Sequence, residues 1–360
     1  MVVKRSSTHS PGPNGSVRAG KPAVSVLQTS RESEAFEQSL RPQCLSEYVG
    51  QSQIKGHLLV HIAAARKRGE PLGHMLLHGP PGLGKTTLAH IIGREMGSNV
   101  RVTSGPAVEK TGDLAALLTA LQEGDVLFID EIHRLRPAIE EVLYSAMEDC
   151  ALDLVIGKGP SARSMRLELK PFTLVGATTR IGAMSAPLRD RFVHSFKLDF
   201  YTVLEMEQIV TRTASILKLP LEDDVAHYLA GCSRATPRVA NRLIRSIRDY
   251  AQVGDEATIT PKRARSTLAA LGIDEIGLDE TDRKLLRAIT ETFNGGPVGL
   301  GTLAAALAEE PETLEDVYEP YLLQQGFLQR TSKGRVALPA TYRMLGLEVP
   351  EVLQAAMFSV

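Results

Sequence analysis

The chain has 360 residues, 43% of them apolar and 23% charged, which allows two or three ordinary domains with a sizeable core and excludes general disorder. Its 41 Lys and Arg nearly balance 42 Asp and Glu, for a net charge of -1, so a globally basic nucleic-acid coat is excluded and any nucleic-acid contact must come from local clustering. Three widely spaced cysteines (Cys44, Cys150, Cys232) form neither a disulfide framework nor a zinc spacing, and no apolar run nears the ~18 residues of a membrane helix. The expectation is a soluble, cytoplasmic protein with no membrane partner.

Residues 1–30 are rich in Ser, Thr, Pro and Gly, carry only basic charges, and lack the apolar stretch of a secretory signal. They read as a disordered basic tail. From Leu40 the pattern becomes regular. Ile54, Leu58, Leu59, Ile62 and Ala65 recur at helical spacing, and three short apolar runs follow at Met75–Leu77, Val126–Ile129 and Phe172–Val175. Short buried strands alternating with helices predict a parallel sheet covered on both faces. From about Thr202 the strands stop and 202–272 reads as helices, with Ala240, Leu243, Ile244 and Ile247 on one face. Residues 274–277 read as a joint. Three helical stretches and a strand pair around Ser332-Lys333-Gly334 then fill 279–345.

The strongest chemical signal is Gly79-Pro80-Pro81-Gly82-Leu83-Gly84-Lys85-Thr86, a full G-x-x-x-x-G-K-[ST] match between a strand and a helix. Glycines let successive backbone amides face phosphate oxygens, and the helix N-terminus adds partial positive charge. Lys85 reaches the β- and γ-phosphates of ATP, and Thr86 offers its hydroxyl to Mg²⁺. Forty-five residues after Lys85 the second apolar run ends in Asp130-Glu131. A carboxylate at a buried strand tip suits the metal, and the adjacent one suits a general base for the attacking water. The third run ends in Thr178-Thr179-Arg180, where a polar side chain is placed to hold that water.

Pro187-Leu188-Arg189-Asp190-Arg191-Phe192 offers two readings. A surface ion pair is worth ~0–1 kcal/mol, whereas an arginine offered to a neighbouring subunit's γ-phosphate is worth about 10³–10⁵ in rate. Spacing does not separate them. Between the second and third runs, Leu152, Leu154 and Ile156 alternate, Gly157–Pro160 turns, and Met165, Leu167 and Leu169 alternate back. That pattern predicts a β-hairpin insertion near 152–169, which either pads the core or, if it protrudes, needs a cover for its apolar face, naturally a partner protein. Arg330, Lys333 and Arg335 cluster at the final strand pair with no acid between 320 and 347. Phosphate-backbone binding stands about even with the alternatives, a protein-docking module or simple solvation.

Taken together, GPPGLGKTTLA, DVLFIDEIHRL, PFTLVGATTR, PLRDRF, TPRVANRL and EDVYEPYLLQQGFLQRT resemble the RuvB family of AAA+ ATPases over about residues 40–347. The resemblance implies hexameric rings that encircle the duplex arms of Holliday junctions and drive branch migration by ATP hydrolysis, with a RuvA-type junction-binding partner docked on the hairpin and a RuvC-type resolvase. It implies ATP contacts at Gly82, Lys85, Thr86 and Thr87, an adenine contact at Leu40-Arg41, and Asp130-Glu131 as the Walker B pair. Thr178 matches sensor 1, Arg191 the trans-acting finger, Tyr201 a nucleotide contact, and Arg238 sensor 2. Glu148-Asp149-Cys150 matches a stretch near the nucleotide, and Arg330 and Arg335 match DNA contacts. Two departures stand out: Val193 and Ala235 replace family glycines.

The predicted fold is an α/β AAA+ P-loop ATPase core with a parallel sheet, then an all-α lid and a C-terminal winged helix. The predicted boundaries are 1–30 (tail), 31–201 (ATPase), 202–273 (lid) and 274–360 (winged-helix head). A clamp-loader-like assembly ATPase is the alternative; the basic wing argues against it. Intact Lys85, Asp130, Glu131, Thr178 and Arg191 argue against a scaffold with a dead nucleotide site.

Overall fold

The computed structural model describes residues 39–156 and 163–350. The chain forms two units, Met1–Arg41 and Pro42–Val360, and the folded domains lie in the second. The tail at 1–30 and the hairpin turn at 157–160 fall outside the described residues.

Five parallel strands make the main sheet: β1 (Met75–His78), β2 (Val100–Ser104), β3 (Val126–Asp130), β6 (Thr173–Thr178) and β7 (His194–Lys197). Their spatial order is β2-β3-β6-β1-β7. Neighbours in the apolar runs point to opposite faces. Leu77, Phe128 and Val175 join a core with helices α1 (Ser52–Arg68) and α2 (Lys85–Met96). Leu76, Leu127 and Leu174 join another with α3 (Thr111–Thr119) and α4 (Pro137–Asp149). Each Leu, Val or Phe so buried contributes about 1.5–3 kcal/mol of transfer free energy. Of the α1 residues at helical spacing, Ile54, Leu58, Ile62 and Ala65 are buried, but Leu59 is 53% exposed because it falls on the outer side of the helix.

The insertion is an antiparallel pair, β4 (Ala151–Ile156) and β5 (Arg163–Glu168), with Leu152 opposite Leu167 and Leu154 opposite Met165. The short helix α5 (Ala186–Asp190) follows β6 and is capped by the Ser185 hydroxyl, which accepts from the Leu188 amide. Beyond β7 come four helices: α6 (Val203–Ile216), α7 (Val225–Cys232), α8 (Pro237–Val253) and α9 (Pro261–Ala270). Thr202 and Glu205 start α6 by capping each other's backbone amides. The α8 face of Ala240, Leu243, Ile244 and Ile247 is buried in the same cluster as Leu77 and Phe128, so the helical lid shares a core with one face of the sheet.

Asp274 then accepts from the amides of Ile276 and Leu278 at 3.1 and 2.8 Å, making the joint a tight turn. The C-terminal part contains α10 (Glu280–Arg287), α11 (Leu300–Leu307) and a helical stretch over 311–324 that ends in α12 (Glu319–Gln324). An antiparallel wing of β8 (Leu328–Thr331) and β9 (Gly334–Ala337) follows, then α13 (Pro339–Leu345). Leu285, Ile289, Leu322 and Tyr342 belong to a separate core. No helix among the described residues is long and apolar enough to cross a membrane.

Lid and head are joined by Arg234, whose guanidinium donates to both carboxylate oxygens of buried Asp282 at 2.9 and 3.3 Å and lies over the Tyr321 ring. To reach there the backbone turns left-handed at Arg234 and Ala235, with φ of 54° and 51°. The family-like glycine would adopt that conformation freely, whereas Ala235 carries a cost of about 1–2 kcal/mol. Ala235→Gly should therefore raise the thermal midpoint by about 2 °C in a melting experiment. An unchanged or lowered midpoint contradicts this reading of the turn.

Candidate functional site

The phosphate loop is tied down from three sides. The Gly79 amide donates to the Thr178 carbonyl at 3.2 Å, anchoring the loop to β6. The buried hydroxyls of Tyr48 and Tyr201 both reach the Leu83 carbonyl, at 3.2 and 3.1 Å. From the lid, the Arg238 amide donates to the Gly82 carbonyl at 3.4 Å. Gly82 and Gly84 have φ of +81° and +98°, and a Cβ on Gly84 would stand 2.8 Å from the Tyr48 hydroxyl. Burial pushes the Tyr201 phenol up to about 12, so it stays a hydrogen-bond donor.

Lys85 opens α2 and is 8% exposed; its ammonium donates to the Gly79 and Pro80 carbonyls, both at 2.8 Å. Burial lowers its pKa to about 8, and the Asp130 charge works against that fall. The N-cap, Gly84, has no side chain to satisfy the first-turn amides of α2. A helix start of that kind, with a lysine at its mouth, is an anion site suited to phosphates.

At the tip of β3 the Thr86 hydroxyl and Asp130 carboxylate lie 3.5 Å apart. A hydroxyl beside one carboxylate is the hard-oxygen set that fits Mg²⁺, which completes its shell with water and nucleotide phosphates. Glu131 takes a left-handed backbone, φ 48°, stabilised where its own amide donates to Asp130 at 2.9 Å. Its carboxylate is partly exposed and pairs with Arg134 at 3.2 Å.

The two strand-end threonines have different surroundings. Thr178 is buried, and its hydroxyl lies 2.9 Å from His133 Nδ1 while accepting from the Arg180 amide at 2.9 Å. Burial lowers the His133 pKa, so the neutral ring can take the hydroxyl proton. Both capacities of Thr178 are thus used internally. Thr179 instead lines a cleft of about 320 Å³ beside Pro80 and Pro81 of the loop. Thr178 thus sits inside the strand end, while its neighbour faces the open space. Tyr48, His133 and Thr179 join the site only through folding. A threonine doublet was visible, but which hydroxyl turns inward depends on a histidine 45 positions away.

Arg191 and the 148–150 stretch lie together at the opposite end of the sheet. His194 pairs with Met75 at the start of β1, and the Met147 carbonyl contacts His74 Nε2 at 3.1 Å. Arg191 pairs with Glu148 at 3.2 Å, donates to the Pro187 carbonyl and lies 4.4 Å from the Tyr144 ring centroid. Asp149 pairs with Arg166 at 2.9 Å, and Cys150 is half-buried beside them. Strand length puts roughly 15 Å between this group and the loop. One chain therefore does not bring Arg191, Glu148, Asp149 or Cys150 to its own loop. Thr87 sits in the first turn of α2. Leu40 and Arg41 belong to the N-terminal unit.

The wing differs from its sequence appearance. No acid lies nearby in sequence, but the helical stretch 311–324 brings two. Buried Glu319 holds Arg330 at 2.6 Å and Arg335 at 2.7 Å, and Glu315 approaches both, at 3.4 and 3.9 Å. The Arg330 side chain remains 43% exposed, and that of Arg335 15%.

A phosphate loop after β1, an acidic pair ending β3, a helical lid touching the loop and a winged helix beyond it define a P-loop ATPase of the AAA+ class. Residues 40–198 match the family model described as the Holliday junction DNA helicase RuvB P-loop domain. Residues 201–274 match the RuvB AAA lid domain, and 275–346 the RuvB C-terminal winged helix domain. The chain belongs to the RuvB family. It is 58% identical over 320 residues to the Holliday junction branch migration complex subunit RuvB of Chloroflexus aurantiacus, covering 89% of this chain and 91% of that one. The Chloroflexus aggregans subunit is 59% identical over the same coverage. The Thermotoga maritima RuvB Holliday junction branch migration motor superposes with a TM-score of 0.80 at 51% identity, over 87% of this chain and 100% of that one.

Gly84→Ala tests the loop geometry directly. It places a methyl group at φ +98° and 2.8 Å from the Tyr48 hydroxyl. Titration with a fluorescent ATP analogue should show affinity reduced about tenfold or more; unchanged affinity contradicts the packing described.

Proposed function

We propose that this chain is the ATP-hydrolysing motor of Holliday junction branch migration, working on duplex arms with a RuvA-type junction-binding partner. The observation that carries the reading is the convergence of Lys85, Thr86 and Asp130 at one strand edge, in a chain that matches RuvB family models from end to end of its described fold.

In this reading Lys85 binds the β- and γ-phosphates, with Gly82, Thr86 and Thr87 supplying backbone and hydroxyl contacts. Thr86 and Asp130 would hold Mg²⁺, which supplies charge neutralisation between the phosphates. Glu131 takes the proton of the attacking water. Thr178, with Thr179 beside it at the cleft, orients that water. Arg238 reports from the lid, Tyr201 supports the loop, and Leu40 and Arg41 take the adenine end.

Arg191, together with Glu148, Asp149 and Cys150, serves the site of a neighbouring copy. Their place at the far end of the sheet supports that role and a homo-hexameric ring. Arg330 and Arg335 contact the DNA backbone, exchanging Glu315 and Glu319 for phosphates. The insertion near 152–169 docks the RuvA-type partner, with a RuvC-type resolvase joining the complex. We divide the chain as 31–201, 202–273 and 274–360, after a tail at 1–30, and place its work in the cytoplasm. The assembly-ATPase alternative would leave the winged helix without a task.

The test is dissociation of a synthetic four-way junction by the protein plus a RuvA-type partner, ATP and Mg²⁺. Junctions should convert to duplex arms with ATP but not with a non-hydrolysable analogue. Glu131→Gln should keep ATP binding while turnover falls about 10²-fold or more. ATP hydrolysis without junction conversion would overturn the motor reading.

A further inference from the structure

One side chain ties the catalytic edge of the ATPase to the winged helix. The backbone amide of Arg180 donates to the Thr178 hydroxyl at 2.9 Å, so any movement of Arg180 is felt where the strand-end threonines face the loop. Its guanidinium points the other way, into the head. Nε donates to Asp316 at 2.8 Å, and NH2 and NH1 approach Glu315 and Glu312 at 3.4 and 3.9 Å. The contact closes one wall of the cleft beside Pro80 and Pro81.

The clamp continues to the wing. Glu315 Oε2 faces Arg180, while its Oε1 faces Arg330 and Arg335, which share buried Glu319. One carboxylate therefore stands between the threonine-bearing strand end and both wing arginines. The arrangement is also unfinished: Arg180 NH2 is buried yet makes no hydrogen bond, only the 3.4 Å ion pair. A buried donor left unsatisfied is costly and favours rearrangement when its surroundings change.

We propose that Arg180 is a positioning residue for ATP turnover, holding Thr178 and Thr179 in register with the phosphate loop through its grip on Asp316 of the winged helix. This rests on the reading of the strand-end threonines given under Proposed function. Arg180 touches no reacting atom; it transmits the head's position to the residues that do. A change in the head that pulls Asp316 and Glu315 shifts the Arg180 amide, and with it the Thr178 hydroxyl bond. Coupling between distinct sites typically changes an affinity by about 5- to 150-fold, which sets the scale of the effect sought here.

The experiment is a double-mutant cycle on the full chain, using Arg180→Ala, Asp316→Ala and the pair combined, with steady-state ATPase as the readout. Among the described residues Asp316 forms an ion pair with Arg180 alone, so its removal opens the clamp from the head side. Each single variant should lower kcat about fivefold or more while KM for ATP stays within twofold. The combined variant should be no slower than the worse single one. Unchanged kcat in either single variant, or losses that multiply in the pair, would overturn the proposal. Melting curves show whether each variant folds. If Arg180→Ala does not, Asp316→Ala decides alone, by whether kcat falls with KM held. A wild-type chain without ATP turnover would instead refute the motor reading itself.

Discussion

A constraint of sheet geometry governs the molecule. In a parallel sheet every strand points the same way, so the loop after β1 and the segment before β7 must lie at opposite ends. The loop carries Lys85, and the other end carries Arg191, which pairs with Glu148 beside the start of β1. No bending of one chain brings that arginine to its own phosphates without dismantling the buried strands. Under the proposed function, a complete hydrolytic site is therefore shared by two copies, and turnover depends on how copies sit against each other.

The same edge of the sheet explains how the three parts of the chain are joined. The lid contacts the loop through Arg238 and supports it through the Tyr201–Ala235 backbone bond of 3.2 Å. The head is fixed to the lid by Arg234 on Asp282 and to the ATPase by Arg180 on Asp316. These are charge-assisted bonds of little or partial exposure, each stronger than a solvent-screened surface pair. Apolar burial stabilises each part, whereas the arginines determine how one part is oriented on the next. That division suits a motor, because a polar joint can exchange partners while cores remain packed.

Much of this was legible in the sequence where the physics is local. Gly79–Thr86 encodes its turn in glycines, and Asp130-Glu131 ends an apolar run too short to be anything but a buried strand. The face of Ala240, Leu243, Ile244 and Ile247 shows in its spacing. Strands β2 and β7 did not show, because VRVTS and HSFK are edge strands with exposed polar positions and no apolar run. Long-range pairings were equally hidden. The wing looked basic because Glu315 and Glu319 reach it only through folding. Nor does spacing tell which of Thr178 and Thr179 turns inward, because that depends on His133. The shared site was suggested only by resemblance, since spacing left Arg191 open between a surface pair and a finger.

The most direct measurement of the shared site mixes two inactive proteins. Glu131→Gln removes the proposed base and keeps the finger, while Arg191→Ala keeps the base and removes the finger. In a randomly mixed ring about a quarter of interfaces join an intact site to an intact finger. ATPase activity should therefore reappear on mixing, well above either variant alone. A mixture no more active than its components, or an Arg191→Ala protein that hydrolyses ATP normally by itself, would contradict the account.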